Sequence, residues 1–158
     1  MSICNNVIMK LKDTIGYCGL PCVICPSHTG TIADLARDLR QILRKTRFGN
    51  FANIISVIQK DQPFKDYDTC YKTLGEMVDF RCRDVCQNGG GIAFCKIKKC
   101  IKAKGIDGCW QCDDYKVCEK LDLIKAIHGI AHIENLNKIK NKGIEKLLED
   151  KPLWFKSP

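Results

Sequence analysis

The sequence predicts a mainly α protein: a small single domain of helices joined by irregular, cysteine-rich metal-binding loops. Three observations support this fold class. Apolar residues recur at helical spacing through much of the chain, and alternation with a period of two is nearly absent. Twelve cysteines occur in 158 residues, most of them in tight groups. Residues 1–14 are predicted to be an N-terminal extension, and residues 15–158 the cysteine-rich metal-binding domain.

Three helical segments are predicted between the first two cysteine groups. The first is amphipathic, with Thr31 as a candidate N-cap. The apolar residues that share its face are Ile32, Leu35, Ala36, Leu39, Ile42 and Leu43. A shorter apolar segment follows from Phe51 to Ile58. A third helix begins near Asp66 or Asp68, and the residues predicted on its inner face are Cys70, Leu74 and Met77.

The second half of the chain predicts three more helices. A short one at 96–104 lies inside the cysteine-rich centre, and Gly105 is placed to end it. A longer helical pattern begins near Glu119 and breaks at Gly143. A last short helix is predicted at 144–149, before the next proline.

Ten cysteines between Tyr17 and Cys118 carry the chemistry that the sequence predicts. They form five groups whose spacings suit metal ligands: Cys18, Cys22 and Cys25; Cys82 and Cys86; Cys95 and Cys100; Cys109 and Cys112; and Cys118. Thiolates a few residues apart can converge on one ion or cluster. Cys4 and Cys70 stand apart, and we interpret both as ordinary free thiols.

The identity of the metal is open between an iron–sulfur cluster and zinc. Cys18, Cys22 and Cys25 have the spacing with which radical S-adenosylmethionine enzymes hold a [4Fe–4S] cluster. The barrel of those enzymes needs about 200 residues or more with alternating strands, so that class is excluded. The three-thiol group favours [4Fe–4S], with the distant Cys118 as the expected fourth ligand.

Zinc is the alternative for the same thiols. The two Cys-x-x-Cys pairs, Cys22/Cys25 and Cys109/Cys112, are the usual halves of a tetrahedral four-cysteine site. A second zinc site would then take the four cysteines between them: Cys82, Cys86, Cys95 and Cys100. Under either scheme two of the ten thiols are left without a metal, so the number of ligands does not decide between an iron–sulfur cluster and zinc.

Helix geometry separates the roles of two cysteines in the centre of the chain. Five residues apart on a regular helix, Cys95 and Cys100 would point about 140° apart and could not face one metal. We therefore expect Cys95 just before the short helix and Cys100 inside it. The pair His128 and His132 lacks the glutamate of a metalloprotease motif and is interpreted as a core or surface pair.

Net charge and hydropathy limit the classes of partner and the cellular compartment that we expect for this protein. The formal net charge is +8. Two filled four-thiolate sites would each add about −2, so the basicity does not favour nucleic acid as a partner, and a protein partner is expected. No apolar run approaches the ~18 residues of a membrane span, so no membrane partner is expected. We expect the protein in the cytoplasm, where thiols stay reduced.

The residues around these cysteines resemble an uncharacterised prokaryotic family known as domain of unknown function 3795. Its members open with Tyr-Cys-Gly-Leu-x-Cys-x-x-Cys, which stands here as YCGLPCVIC at 17–25. The later family pattern is a close cysteine pair, then Cys-x-Ile-x-x-Cys, Lys-Gly, Cys-x-x-Cys, a tyrosine and a final cysteine. This chain has these motifs in the same order. The C-terminal segment NLNKIKNKGIEKLL also resembles the helix break of the family. One departure is Cys82-Arg-Asp-Val-Cys86, where the family pair is usually Cys-x-x-Cys with a glycine.

The resemblance implies a cysteine-rich metal-binding protein and brings no known activity with it. From the residues, the expected function is a metal-binding protein, [4Fe–4S] in type, with an electron-transfer or accessory role. The alternative is a non-catalytic zinc-binding module for protein or nucleic-acid interaction. The sequence contains no phosphate loop, dinucleotide fingerprint, serine triad or paired carboxylates, so no catalytic residue is assigned.

Overall fold

The computed structural model describes residues 14–59 and 63–158. The predicted fold class is confirmed, because these residues form seven α-helices and short 3₁₀ turns but no strand. Most of the expected extension at 1–14, with Cys4, lies outside the described residues. The helices are α1 (Pro26–Thr29), α2 (Thr31–Lys45), α3 (Phe48–Ile58), α4 (Tyr67–Asp79), α5 (Lys96–Lys104), α6 (Asp122–His128) and α7 (Ala131–Glu149).

The described chain forms two compact units. One contains residues 14–29 and 82–158, and the other is Gly30–Arg81. We call them the cysteine unit and the inserted unit, because all ten candidate ligands lie in the first. None of the described helices is both long and apolar enough to cross a membrane.

The inserted unit contains α2, α3 and α4, and small residues form its packed faces. Its buried residues are Gly30, Ala33, Ala36 and Ala52. The guanidinium of Arg40 on α2 donates to the backbone oxygen of Tyr71 on α4, and lies 4.1 Å from the centre of that ring. Alanines let helix backbones approach closely, so long aliphatic side chains are left outside the contact.

The predicted helix faces of the inserted unit are therefore wrong in part, although Ala36 is buried as predicted. Leu35 and Ile42 are 66% and 58% exposed, because α2 packs through the face of Ala33, Ala36 and Arg40. Its N-cap is Gly30, in the left-handed conformation, in place of Thr31.

The third and second predicted segments also need correction. On α4, Cys70 and Met77 are exposed, and the packed face carries Tyr67 and Tyr71. The rings of Phe48 and Tyr67 lie 5.8 Å apart, so the aromatic residue that opens α3 belongs to the packed interior. This contact explains why α3 begins at Phe48, three residues before the predicted start.

The two ends of the inserted unit are held together by one ion pair. Both carboxylate oxygens of Asp34 accept from the Arg81 guanidinium, each at 3.0 Å. The Arg81 guanidinium lowers the pKa of Asp34 by hydrogen bonding, with the Arg37 guanidinium contributing less. Because Asp34 lies in the first turn of α2, the pair joins the start of the unit to its last residue.

The core of the cysteine unit is built on α5 and α7. Ile97 and Ile101 of α5 and Leu136 and Leu147 of α7 are buried. The loop of the first cysteines lies on α7, where a Cβ added to Gly19 would come 2.8 Å from the Leu136 side chain. A glycine is required there because the loop backbone contacts the helix directly, with φ at +81°.

A buried asparagine ties two irregular segments to α7. The side-chain amide of Asn135 donates to the backbone oxygens of Gly19 at 3.0 Å and Leu153 at 2.8 Å. Its side-chain oxygen accepts from the backbone N–H of Leu153 at 3.0 Å. Buried backbone groups need such partners, so Asn135 stabilises both the cysteine loop and the C-terminal segment.

The helices of the cysteine unit agree only in part with the sequence. The short helix is Lys96–Lys104, with Gly105 at φ +62° as its C-cap, as predicted. Gly143 interrupts α7 with φ +86°, which confirms the predicted break. The structure adds a break at Gly129, where Ile130 donates to the backbone oxygen of Lys156 at 2.9 Å. That contact comes from a residue distant in sequence, which periodicity does not detect.

We predict that Gly129→Ala destabilises the cysteine unit more than Gly105→Ala. Both glycines have φ near +60°, but Gly105 is in the left-handed helical conformation with ψ 31°, where an alanine costs about 1–2 kcal/mol. Gly129 has ψ −130°, a conformation that residues with a Cβ avoid more strongly. At Gly129 the added Cβ would lie 1.9 Å from the backbone oxygen of Lys156, whereas at Gly105 nothing lies within 4 Å. We expect a loss of about 3 kcal/mol at Gly129.

Urea denaturation of both variants beside the unmodified protein, under reducing conditions, measures the difference. Gly105→Ala is the control, because it places an alanine at a positive φ without the steric contact. Equal losses in the two variants would show that the close approach of Gly129 to Lys156 is not a tight contact.

Candidate metal centre

Both Cys-x-x-Cys pairs fold as the same local structure. Cys22 begins the 3₁₀ turn Cys22–Ile24, and the Cys25 N–H donates to the Cys22 backbone oxygen at 3.1 Å. Cys109 begins the turn Cys109–Gln111, and the Cys112 N–H donates to the Cys109 backbone oxygen at 3.0 Å. Each turn holds its two cysteines about one helical turn apart, which is the local geometry that a chelating pair requires.

Backbone hydrogen bonds bring distant cysteine groups together. The Cys82 N–H donates to the backbone oxygen of Ser27 at 2.9 Å, which places the second group beside the first loop. The Cys109 N–H donates to the backbone oxygen of Tyr17 at 2.8 Å, which places the fourth group beside the other end of that loop. The first loop therefore lies between the two regions of later cysteines.

The first cysteine set consists of Cys22, Cys25, Cys82 and Cys86. The pKa of the Cys22 thiol is raised from 9.0 to about 12, mostly by burial, with smaller contributions from the nearby thiols of Cys86, Cys25 and Cys82 in that order. The backbone N–H of Cys86 is hydrogen-bonded to the Cys22 thiol. The Cys86 sulfur accepts from the backbone N–H of Tyr17 at 3.3 Å. These four thiols thus share one neighbourhood.

The second cysteine set lines a pocket. Cys100, Cys109, Cys112 and Cys118 all face a cavity of about 310 Å³ whose other walls include Ile97 and Ile101. Cys109 is the buried member of the set. Burial raises the pKa of its thiol from 9.0 to about 12, with smaller contributions from Cys118, Cys112 and Cys100.

A lysine that the sequence analysis missed lies at this pocket. The Nζ of Lys104 donates to the Cys112 sulfur at 3.2 Å, and this hydrogen bond raises the pKa of Lys104. Lys104 follows Cys100 by four residues on α5, so helical spacing alone places the two on one face. The ammonium places a positive charge beside the Cys112 thiol, and Lys120 also lines the pocket.

The two remaining cysteines lie between the sets. Burial raises the pKa of the Cys18 thiol well above its ordinary value, and the nearest contributing thiols are Cys86 and Cys109, one from each set. Cys95 likewise contributes to the raised pKa of both Cys86 and Cys109. Its sulfur caps α5 by accepting from the Lys98 N–H at 3.5 Å.

The structure decides some placements that the sequence left open. Cys95 precedes α5 and Cys100 lies inside it, as predicted. Cys118 lies at the pocket with Cys109, and its role as the fourth ligand of the Cys18 group stays a prediction. Cys70 is exposed and lies in the inserted unit, apart from all ten candidates.

The histidine pair is separate from the cysteines and serves packing. His132 is 1% exposed and its Nδ1 has no hydrogen-bond partner. Burial lowers the pKa of His132, and the neighbouring His128 lowers it further. The His128 Nδ1 lies 2.8 Å from the backbone oxygen of Trp154, and the two rings meet edge to face. The interpretation as a core pair is confirmed.

Single-ion geometry is not formed among the described residues. No three histidine, cysteine, aspartate or glutamate side chains there are arranged to hold one metal ion. The residues nevertheless fit a metal group by their chemistry, since each set offers four soft sulfur donors and few competing oxygen or nitrogen donors.

Comparison with known proteins yields a family and no further relative. A family model described as "Protein of unknown function (DUF3795)" matches residues 14–123. No curated protein and no solved structure matches the chain. The match includes all ten candidate cysteines and ends before the helix break at Gly143.

We predict that the reduced, metal-free protein loses stability as the pH rises above about 9. Unfolded thiols ionise near 9.0, whereas Cys22 and Cys109 keep their protons in the folded state to about pH 12. Between these values the unfolded state releases protons that the folded state retains. Rising pH therefore favours unfolding, and the stabilisation is complete only below about pH 9.

Urea midpoints measured at pH 8 and pH 10 with chelator and reductant test this prediction. Lysines also titrate in this range, so the double variant Cys22→Ala/Cys109→Ala supplies the comparison, and it should lose less than the unmodified protein between the two pH values. Cys70→Ala, which removes an exposed thiol, should lose as much as the unmodified protein. An equal decline in the double variant would contradict the assignment.

Proposed function

The chain belongs to the DUF3795 family, and we propose that it is a metalloprotein that binds an iron–sulfur cluster of the [4Fe–4S] type through cysteine thiolates. The proposed role is electron transfer or an accessory function, without catalysis by the chain's own residues. The observation that carries the proposal is the pocket of about 310 Å³ lined by the four thiols of the second cysteine set.

The size of the pocket favours a cluster over a single ion. A zinc ion held by four thiolates is enclosed by sulfurs about 2.3 Å away, which leaves no open volume inside the ligand shell. A cube of four irons and four sulfides occupies space between the thiolates, because each thiolate binds a different iron. Cys100, Cys109, Cys112 and Cys118 are four of the residues that line this open pocket, and thiols placed around a shared space support the second arrangement.

Hydrogen bonds to sulfur also support a cluster. Backbone N–H groups of Tyr17 and Lys98 donate to Cys86 and Cys95, and the Lys104 ammonium donates to Cys112. Donors of this kind stabilise the negative charge of bound thiolates. They also tune the reduction potential of iron–sulfur centres, together with solvent exposure.

The electrostatics of the thiols are suited to a cationic occupant. The Cys109 thiol is buried beside three other thiols, and each neighbour raises its pKa. Metal binding removes the thiol protons and replaces mutual repulsion between thiolates with attraction to the cation. Uptake of metal therefore releases protons, so acid should favour its loss.

The chain's own residues would bind, orient and shield the cluster. Ile97 and Ile101 supply an apolar wall of the pocket. Lys104 holds Cys112 by its hydrogen bond and partly offsets the negative charge of a thiolate-bound cluster. The cluster itself supplies one-electron chemistry. We propose a protein partner for the exchange, in the reducing environment of the cytoplasm where these thiols stay available.

Zinc remains the second candidate on one specific observation. Both Cys-x-x-Cys pairs form 3₁₀ turns with the same N–H to carbonyl hydrogen bond, a local geometry that suits half of a tetrahedral site. In that case the metal would only cross-link loops, and the protein would be a non-catalytic module for a protein or nucleic-acid partner. Nucleic-acid binding is the less favoured branch.

We predict that the protein purified without oxygen contains iron and acid-labile sulfide in equal amounts. Cys109→Ser should lose at least half of the iron, because Cys109 is the buried thiol of the pocket. Cys70→Ser, which changes an exposed thiol of the inserted unit, should keep all of it. Metal analysis by mass spectrometry and a colorimetric sulfide assay measure both.

Two outcomes would overturn the proposal. A colourless protein that holds zinc and no sulfide would favour the zinc module. Iron retained in full by Cys109→Ser, when the unmodified protein is loaded, would show that the pocket is not where the iron binds.

A further inference from the structure

We propose that the chain holds two clusters, and that Cys22, Cys25, Cys82 and Cys86 bind the second one beside the pocket. This inference rests on the proposed function and extends it from one centre to two. It concerns the first cysteine set, whereas the pocket that carries the proposed function belongs to the second set.

The first step is that the four thiols come from two segments fixed to each other by the backbone. Cys82 follows the inserted unit, and its N–H donates to the Ser27 backbone oxygen, two residues after Cys25. The backbone N–H of Cys86 is hydrogen-bonded to the Cys22 thiol. Each segment therefore contributes two cysteines to one place, which gives the full number of thiolates that a [4Fe–4S] cluster requires.

The second step is that this set does not share its thiols with the pocket. The pocket is lined by four cysteines of its own, and none of them belongs to the first set. With four thiolates at each place, neither centre needs a ligand from the other. Cys18 and Cys95 then bind neither cluster. The two sets of four and these two cysteines together make up all ten candidates.

The third step is that the two centres are neighbours. A Cβ added to Gly16 would lie 3.5 Å from the Cys86 sulfur and 3.6 Å from the Cys18 sulfur, so these two sulfurs lie on either side of the same glycine. The Cys109 N–H in turn donates to the backbone oxygen of Tyr17, the residue before Cys18. Cys18 therefore lies between the set that contains Cys86 and the pocket that contains Cys109.

Stoichiometry tests the inference with one substitution in each set. After anaerobic reconstitution the full chain should hold about eight irons and eight sulfides, from two four-iron clusters. Cys22→Ser and Cys118→Ser should each retain about half, and the double variant none. Cys70→Ser is the control that should remain fully loaded.

Folding is checked separately, because a cysteine variant can fail to fold. The helical circular dichroism of each variant is compared with that of the unmodified protein. If Cys22→Ser or Cys118→Ser is unfolded, then Cys25→Ser and Cys112→Ser, at partly exposed positions, replace them.

Electron paramagnetic resonance gives a second readout. In the dithionite-reduced full chain, two adjacent reduced clusters should broaden and split each other's signal. Each single variant should give one simple signal, because only one cluster is left.

The outcomes separate this inference from the proposed function. Iron and sulfide at about four per chain, lost entirely in either single variant, would refute two centres and leave a single cluster shared between the sets. Zinc without sulfide in the full chain would refute the proposed function and this inference with it. Two half-loaded single variants support both.

Discussion

The crowding of thiols in the cysteine unit is the constraint on which its structure depends. A thiolate in an apolar neighbourhood is unfavourable, and a second thiolate nearby makes it more so. Cys22 and Cys109 therefore keep their protons to about pH 12 in the folded chain. The same arrangement is suited to a cation, because metal binding compensates both the burial, which is the larger cause of those raised pKa values, and the repulsion between neighbouring thiolates. Helices alone would spread the thiols around their surfaces, so irregular loops carry most of them, and α5 and α7 provide the platform on which the loops lie.

Local sequence determined the ends of helices better than it determined their buried faces. Gly105 and Gly143 act through their own backbone conformation, and the sequence predicted both. Gly129 could not be predicted, because its role comes from contact with Lys156 in the C-terminal segment. Periodicity identified Leu35 and Ile42 as one face of α2, but it does not state which face meets another helix. Close packing through alanines turned that face outward.

The candidate site likewise has features that local sequence predicts and features that depend on contacts between distant residues. Spacing identified ten cysteines, and all ten lie in one unit, apart from the exposed Cys70. It also placed Cys95 before α5 and Cys100 inside it. Which thiols share a neighbourhood depends on hydrogen bonds between distant loops, such as Cys109 to Tyr17, and spacing carries no information about these. For that reason the position of Cys118 beside Cys109 could not be predicted from the sequence.

The inserted unit has a structural consequence for the first cysteine set, although it holds none of the candidate ligands. The inserted unit separates Thr29 from Cys82 in the sequence. Two members of the first cysteine set, Cys82 and Cys86, therefore follow a long insertion. Closing a long loop costs conformational entropy, which the folding of α2, α3 and α4 against one another offsets. The pair of Asp34 and Arg81 is exposed to solvent, where an ion pair stabilises little, so helix packing supplies most of the closure. The ion pair instead fixes the end of the inserted unit at Arg81, one residue before Cys82. The Cys82 N–H then donates to the backbone oxygen of Ser27. Formation of the first set thus depends on helices that lie outside it.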